Sequence, residues 1–562
     1  MSFKFKVLLV AAFFVVKYSS AQSLIDQKKV YTRADTLRGS LRAERTCYDV
    51  TFYDLSVKID TADKSITGSN RIVFKTVEDF QAMQIDLFDN MKIISITTSD
   101  GKELKFYREF NAVFVEMNER MHTGAKGEIT VNYYGKPIIA KRAPWDGGFT
   151  WTYDKSGKPW IAVSCEGMGA SCWWPCKDYL GDEPDSMKIS CNVPDELRCV
   201  SNGTEGIADI KMDGTTTYNW FVHYPINNYN VTLNIGDYVT FHDNYKADDG
   251  ALLSLDYYVM RYNLEKAKLQ FMQVKPMLKC YEKYLGKYPF WNDGYALVEA
   301  PYLGMEHQGA ISYGNKYLTG YAGTDYSRIG LDFDYIIIHE SGHEWWGNSV
   351  SCKDIADMWI HESFCTYTES IYVEYMFGRD TALKYINAHK AHIGNRDPVV
   401  GLYGVNEEGD GDMYSKGSLF LNTLRSVVND DKLWWSTIKG MCDTTFKFKN
   451  IGYEDMVNYF NRKTGRDLSA VFEQYLKFSK IPVFEYRLKK KKKGEFSLSC
   501  HWVTDAKDFK LPVIFSTGEK ENQYLNTGNE WQTVSIKLKK DSDFKVQDDL
   551  MYVEVKRELI KK

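Results

Sequence analysis

Apolar and polar positions change rhythm twice along this chain. Between residues 47 and 242, short runs rich in β-branched and aromatic residues (53–59, 69–75, 83–87, 112–117, 127–134, 187–193, 216–223 and 229–235) are separated by Asp, Asn and Gly clusters. That pattern predicts antiparallel strands in a saddle or sandwich. Near residue 262 the apolar spacing becomes helical. A helix is predicted over 263–285 with Gly286 as its stop, followed by a short strand at 295–298. Helical spacing dominates from Asp332 onward, over 354–376, 379–393, 416–429, 430–441, 453–464 and 468–478. After Ile481-Pro482 strand patterns return at 483–488, 494–502, 510–515, 533–538 and 551–555. The five-lysine run 489–493 reads as a solvated hairpin tip.

The expected organisation is multidomain α+β: a signal peptide at 1–21, an extended lead-in at 22–44, an N-terminal β domain at 45–243, a mainly helical domain at 244–481 and a small β domain at 482–562. The 562 residues, 44% of them hydrophobic, are ample for several cores, and a net charge of -4 gives no footprint for nucleic acid. Lys4 and Lys6 precede an apolar run at 7–16 that is too short to span a bilayer, and Ser19-Ser20-Ala21 offers a cleavage site. Export to a periplasmic or extracellular space is therefore expected, with an uncleaved N-terminal anchor as the alternative. No later stretch is apolar enough to cross a membrane. The eleven cysteines read as structural; their odd number leaves at least one thiol outside any intrachain pairing. Oligomeric state leaves no mark in the sequence.

The chemistry concentrates at 336–348, which reads IIIHESGHEWWGN. On a helix His339 and His343 share one face and can aim at one metal, with Glu340 beside them as a base for a metal-activated water. Separated from His343 by eighteen residues is Glu362, in the segment Trp359-Ile360-His361-Glu362-Ser363-Phe364, as a candidate third ligand. Glu369, two helical turns further on the same face, could orient a metal-bound histidine through its second ring nitrogen.

With these residues in place the chain resembles the gluzincin aminopeptidase family that includes aminopeptidase N and leukotriene hydrolase. That family is marked by HExxH, eighteen residues, then Glu in a WLNEGF-like segment. Its G-x-M-E-N motif appears here as Leu303-Gly304-Met305-Glu306-His307, and its Y-x-K-G motif as Tyr414-Ser415-Lys416-Gly417. Its amine-binding residue, nine positions before the Pro of an F-P-C-x-D-like segment, corresponds to Glu166 before Trp174-Pro175-Cys176-Lys177-Asp178. The resemblance implies a thermolysin-like catalytic domain, one zinc ion on His339, His343 and Glu362, and Glu340 as general base. It implies Tyr414 as oxyanion donor, and Glu166 and Glu306, with Gly304, Met305 and His307 around them, as binders of a peptide's free N-terminus. Longer members carry a large helical C-terminal domain; no long helical pattern follows residue 482, and a more open cleft is expected.

The sequence departs from the family at His307 and His361, where Asn is usual, and at Leu303 and Ser363, where Gly is usual. The two histidines raise a second metal as an alternative; exchange of one hydrogen-bonding side chain for another is the reading adopted. His389 and His392 are taken as core or surface residues, and the acidic run 406–412 as a solvated loop. A catalytically altered peptide-binding scaffold, or an endopeptidase or epoxide hydrolase on the same zinc site, are the alternative functions.

Overall fold

The computed structural model describes residues 30–325, 327–492 and 494–559; the expected signal segment lies outside them. The lead-in is not extended where it is described. It forms helix α1 (Arg33–Gly39) and a single helical turn, Ala43–Thr46. Thr32 and Asp35 close a capping box on α1, and Leu37 is buried against Ala112 and Phe114, so the segment has its own cap and its own contact.

The N-terminal strands build three sheets of eight, four and three strands. In the largest, β1 (Tyr48–Asp60) pairs antiparallel with β2 (Ser65–Thr76) on one side and parallel with β3 (Ser186–Pro194) on the other, so the sheet is mixed rather than wholly antiparallel. Inward side chains such as Tyr53, Leu55 and Val57 alternate with more exposed ones, which is the period-two pattern of a half-buried strand. The boundary expected at 243 falls inside β4 (Tyr238–Lys246). That strand already belongs to a five-stranded mixed sheet with β5 (Leu252–Met260), β6 (Tyr295–Glu299), β7 (Gly304–Met305) and β8 (Ile311–Tyr313). The strand-rich pattern simply continued across the junction, because both sides of it are β.

Helices follow: α2 (Val274–Tyr284), α3 (Tyr335–Gly342), α4 (Trp359–Phe377) and α5 (Asp412–Val428), with three further helices after them before Ile481. The strands after residue 482 form a four-stranded and a three-stranded sheet, and include Gln523–Gly528, which no sequence pattern flagged. The lysine run lies mostly within Val483–Lys492, paired with Glu495–Val503, so it lines an exposed strand end rather than only a tip. These strands have no core of their own. Trp502, Val513 and Phe515 share one hydrophobic core with Leu424, Phe472 and Leu476 of the helical part. All eleven cysteines are buried free thiols. No helix among the described residues is long and apolar enough to cross a membrane.

Candidate metal and peptide site

Helix α3 is buried from Ile336 to Gly342 on every side, which explains why its sequence lacks an amphipathic stripe. Asp334 caps it: its Oδ1 accepts from Ile336 N at 3.0 Å and Ile337 N at 3.4 Å. Gly342 lets α4 approach; a Cβ there would sit 2.9 Å from Cys365 Sγ. That close packing brings Glu362, in the first turn of α4, against the two histidines.

Three atoms converge. His339 Nε2 and His343 Nε2 lie 3.3 Å apart, and each is 3.6 Å from Glu362 Oε2. The other ring nitrogens are engaged: Nδ1 of His339 faces Glu369 Oε1 at 2.7 Å, and Nδ1 of His343 faces the Trp346 carbonyl at 2.9 Å. With both acceptors taking a proton from Nδ1, the two Nε2 lone pairs point into the gap between the rings, where neither can donate to the other. Glu362 Oε2 is buried and has no hydrogen-bond partner. Zinc ligands at about 2.0–2.2 Å in a tetrahedral arrangement stand about 3.3–3.5 Å apart. The orphaned oxygen, the two facing lone pairs and their spacing fit that ion. Cys365 also lies near both histidines, but its Sγ is engaged as a donor to the His339 carbonyl at 2.8 Å, and burial pushes its thiol up to about 12.

Glu340 lines the adjoining cleft, and burial pushes its carboxyl up to about 8 against the pull of His339, with Glu306 and Glu362 pushing the same way. Gly304 on β7 fits against it: a Cβ there would lie 2.7 Å from Glu340 Oε1. Tyr414, in the first turn of α5, is 36% exposed on the cleft wall, its ring 6.3 Å from that of His339 and 26° from parallel. Burial and the Glu362 and Glu166 carboxylates hold its phenol well above the usual range, so it is a protonated donor. The rest of its motif is architectural. Gly417 leaves room for Ser363, whose Oγ donates to the Met413 carbonyl at 2.7 Å, and Lys416 Nζ donates to the carbonyls of Phe478 and Ser479 at 3.0 and 2.7 Å.

Glu166 and Glu306 are neighbours, and both are displaced upward by burial, Glu166 also by the Glu306 charge. Carboxylate oxygens of Glu166, Glu306 and Glu362 lie within 4.8 Å of one another. In the free protein such a pair holds a shared proton; an ammonium group satisfies both carboxylates. Met305 is buried behind them in the N-terminal core.

The two histidines among the departures are buried and neutral. Burial lowers His307 and His361 to about 3. His307 Nδ1 meets Ser312 Oγ at 3.1 Å, and His361 Nε2 accepts from Cys352 N at 2.9 Å. His389 and His392 instead line the cleft, a cavity of about 490 Å³ walled by Trp145, Tyr335, Tyr385 and Tyr414. A larger groove of about 1520 Å³ beside the C-terminal strands contains none of the candidate residues. Tyr229, Tyr335 and Tyr385 were missed by sequence reasoning; Tyr335, one turn before His339 and 3.2 Å from its Nδ1, could have been found from the four-residue spacing, whereas the other two carry no local signal.

The description "Peptidase M1 N-terminal domain" matches residues 50–229 and "Peptidase family M1 domain" matches 269–475. A probable aminopeptidase 1 of Sulfurisphaera tokodaii is 23% identical over 522 residues, 87% of this chain and 62% of the relative. Aminopeptidase N of Escherichia coli is 26% identical over 332 residues, 57% of this chain and 36% of the relative. The chain thus spans about a third to three fifths of the length of these curated relatives; a probable aminopeptidase 1 of Saccharolobus solfataricus is matched over 49% of its length. An M1 zinc metallopeptidase from Deinococcus radiodurans shares the fold with a TM-score of 0.63 at 18% identity, covering 77% of this chain and 94% of that one. A mutant M1 zinc metallopeptidase from the same organism, bound to a Tyr-ser-ala substrate, has a TM-score of 0.63 at 17% identity, covering 78% and 95%.

Proposed function

The chain belongs to peptidase family M1, a family of zinc metallopeptidases, and from that premise we propose that it is an exported aminopeptidase that uses one zinc ion to remove the N-terminal residue of peptides. The observation that carries the reading is the carboxylate pair Glu166–Glu306, set within 4.8 Å of the metal-facing Glu362. A charged N-terminus docked there places the first peptide bond over the ligand triad.

His339, His343 and Glu362 would hold the ion. When bound, it supplies a Lewis acid that polarises the scissile carbonyl and makes a water acidic enough to be deprotonated near neutral pH. Glu340 takes that proton and returns it to the leaving amine. The Tyr414 hydroxyl donates to the carbonyl oxygen as charge develops on it. Glu166 and Glu306 fix the ammonium, which turns a loose encounter into one defined register. Glu369 and the Trp346 carbonyl keep both imidazoles turned with Nε2 inward.

Paired peptides with free and Nα-acetylated termini test the reading. Cleavage of the free peptide alone supports it. Equal cleavage of both makes the protein an endopeptidase, hydrolysis of an epoxide with neither peptide cut makes it an epoxide hydrolase, and binding without turnover makes it a scaffold. N-terminal sequencing of the protein recovered outside expressing cells tests export: a start at Gln22 supports it, and retention of the full chain inside the cell refutes it.

A further inference from the structure

Glu306 is held from a direction that the metal chemistry does not require. The Cys352 backbone N–H donates to His361 Nε2 at 2.9 Å. Since a backbone N–H can only donate, Nε2 is an acceptor and the neutral ring carries its proton on Nδ1. That nitrogen lies 3.5 Å from the Tyr229 hydroxyl, which in turn donates to Glu306 Oε1 at 3.0 Å. Every donor in the series points the same way, and the series ends on the carboxylate. Gly347, at φ +114, leaves the ring its place: a Cβ there would lie 3.2 Å from His361 Nδ1.

We propose that this chain, from Cys352 N–H through His361 and Tyr229 to Glu306, makes Tyr229 and His361 positioning residues that aim the carboxylate receiving the substrate's N-terminal ammonium. The inference rests on the aminopeptidase reading above. Tyr229 comes from the turn Asn228–Asn230, which the N-terminal strands deliver into the catalytic part of the molecule. The same turn fixes the main chain of Glu306: Asn230 Nδ2 donates to Asn348 Oδ1 at 2.5 Å, and Asn348 Nδ2 donates to the Glu306 carbonyl at 2.9 Å. Asn227 completes the link, donating from Nδ2 to the Gly347 carbonyl at 3.1 Å. Side chain and backbone of Glu306 are therefore set by one turn, with His361 behind the Tyr229 hydroxyl. A hydrogen bond to a charged group is stronger than one between neutral groups, so loss of the Tyr229 donor should be felt where the ammonium binds.

The test uses the zinc-loaded enzyme with an aminoacyl-p-nitroanilide, and zinc content measured for each variant. Tyr229→Phe is expected to raise KM about tenfold or more while kcat changes by less than about threefold. His361→Leu, which keeps the bulk and removes both nitrogens, should shift KM in the same direction. His361→Gln, with an acceptor and a donor on one amide, should recover most of that loss. The double variant Tyr229→Phe/His361→Leu should be no worse than Tyr229→Phe, because the two act in series. Calorimetric titration with L-leucinamide should show weaker binding to Tyr229→Phe. An unchanged KM in Tyr229→Phe, a loss confined to kcat, or additive losses in the double variant each overturn the proposal. Tyr229→Phe decides alone if His361→Leu fails to fold. A wild type that cleaves free and acetylated peptides alike overturns the amine anchor and this chain with it; a wild type that demands a free amine, with Tyr229→Phe unaffected, overturns the chain only.

Discussion

Glu369 Oε1 lies 2.7 Å from His339 Nδ1, and the other oxygen of the same carboxylate accepts from Tyr385 OH at 2.6 Å. The carboxylate is fully buried and fixed at both ends, so it decides which ring nitrogen of His339 faces the metal. Replacing Glu369 with Ala leaves that nitrogen only the Tyr335 hydroxyl, at 3.2 Å, and removes the charge that makes the ring a better ligand. Zinc affinity should fall about 10–100-fold, read by competition with a chromophoric chelator. Turnover should return when zinc is added in excess; a variant with unaltered zinc affinity would take Glu369 out of this role.

Glu340 and Gly304 make a second, separable test. Glu340→Ala should lower kcat by about 10²–10⁴-fold with zinc still bound, because general base chemistry is lost while the ligands remain. Gly304→Ala keeps every catalytic group but adds a Cβ 2.7 Å from Glu340 Oε1 and 2.8 Å from Ile336 Cγ2. The carboxylate must move. A displacement near 1 Å costs on the order of 100-fold in rate, so kcat should drop at least tenfold with zinc stoichiometry unchanged. Wild-type kcat in Gly304→Ala would show that the cleft relaxes around the methyl group.

The ligand triad was legible because its spacing is a consequence of helix geometry. Residues four apart face one way, and the eighteen-residue gap is the length needed to leave α3 and enter α4. Glu369 was legible for the same reason, being two turns along α4 from Glu362. The tyrosines that hold these groups were not. Tyr229 and Tyr385 reach the site through tertiary folding from separate elements, and no local period marks them; Tyr335 stands one turn before His339 on α3, its hydroxyl 3.2 Å from Nδ1, and the same four-residue spacing could have found it. Domain limits failed where both neighbours share a pattern: β4 crosses the expected boundary because strand follows strand there. The shared core of the helices and the C-terminal strands was equally invisible, since alternation within a strand does not say what covers its inner face.

Metal removal should lower stability as well as activity. Glu362 Oε2 makes no hydrogen bond and lies 3.6 Å from each histidine Nε2, so without a cation three buried polar atoms face one gap with nothing to satisfy them together. An ion present at about 1,000 times its Kd stabilises the folded state by about 4 kcal/mol. Dialysis against a chelator should abolish peptidase activity and lower Tm by several degrees, both restored by zinc. Glu362→Gln should show the low Tm whether or not zinc is added.

Glu183 gives a pH signature remote from the metal. It sits where the N-terminal strands meet the catalytic part, and Asn450 Nδ2 donates to its Oε1 at 2.9 Å and to the Leu180 carbonyl at 2.7 Å. Burial raises its carboxyl from 4.5 to about 7, outweighing the hydrogen bond from Asn450 that favours the ionised form. The folded state therefore binds this proton more tightly than the unfolded state. Its contribution to stability is fully present below pH 4.5 and is lost as pH rises through 7, a change on the order of 2–3 kcal/mol. Glu183→Gln cannot ionise, and its amide oxygen can still accept from Asn450. Thermal melts at several pH values from 5 to 8 should show the variant close to wild type at the acid end and more stable at the alkaline end. A Tm difference that stays constant across that range would mean that Glu183 titrates alike in both states and that the junction does not sense pH.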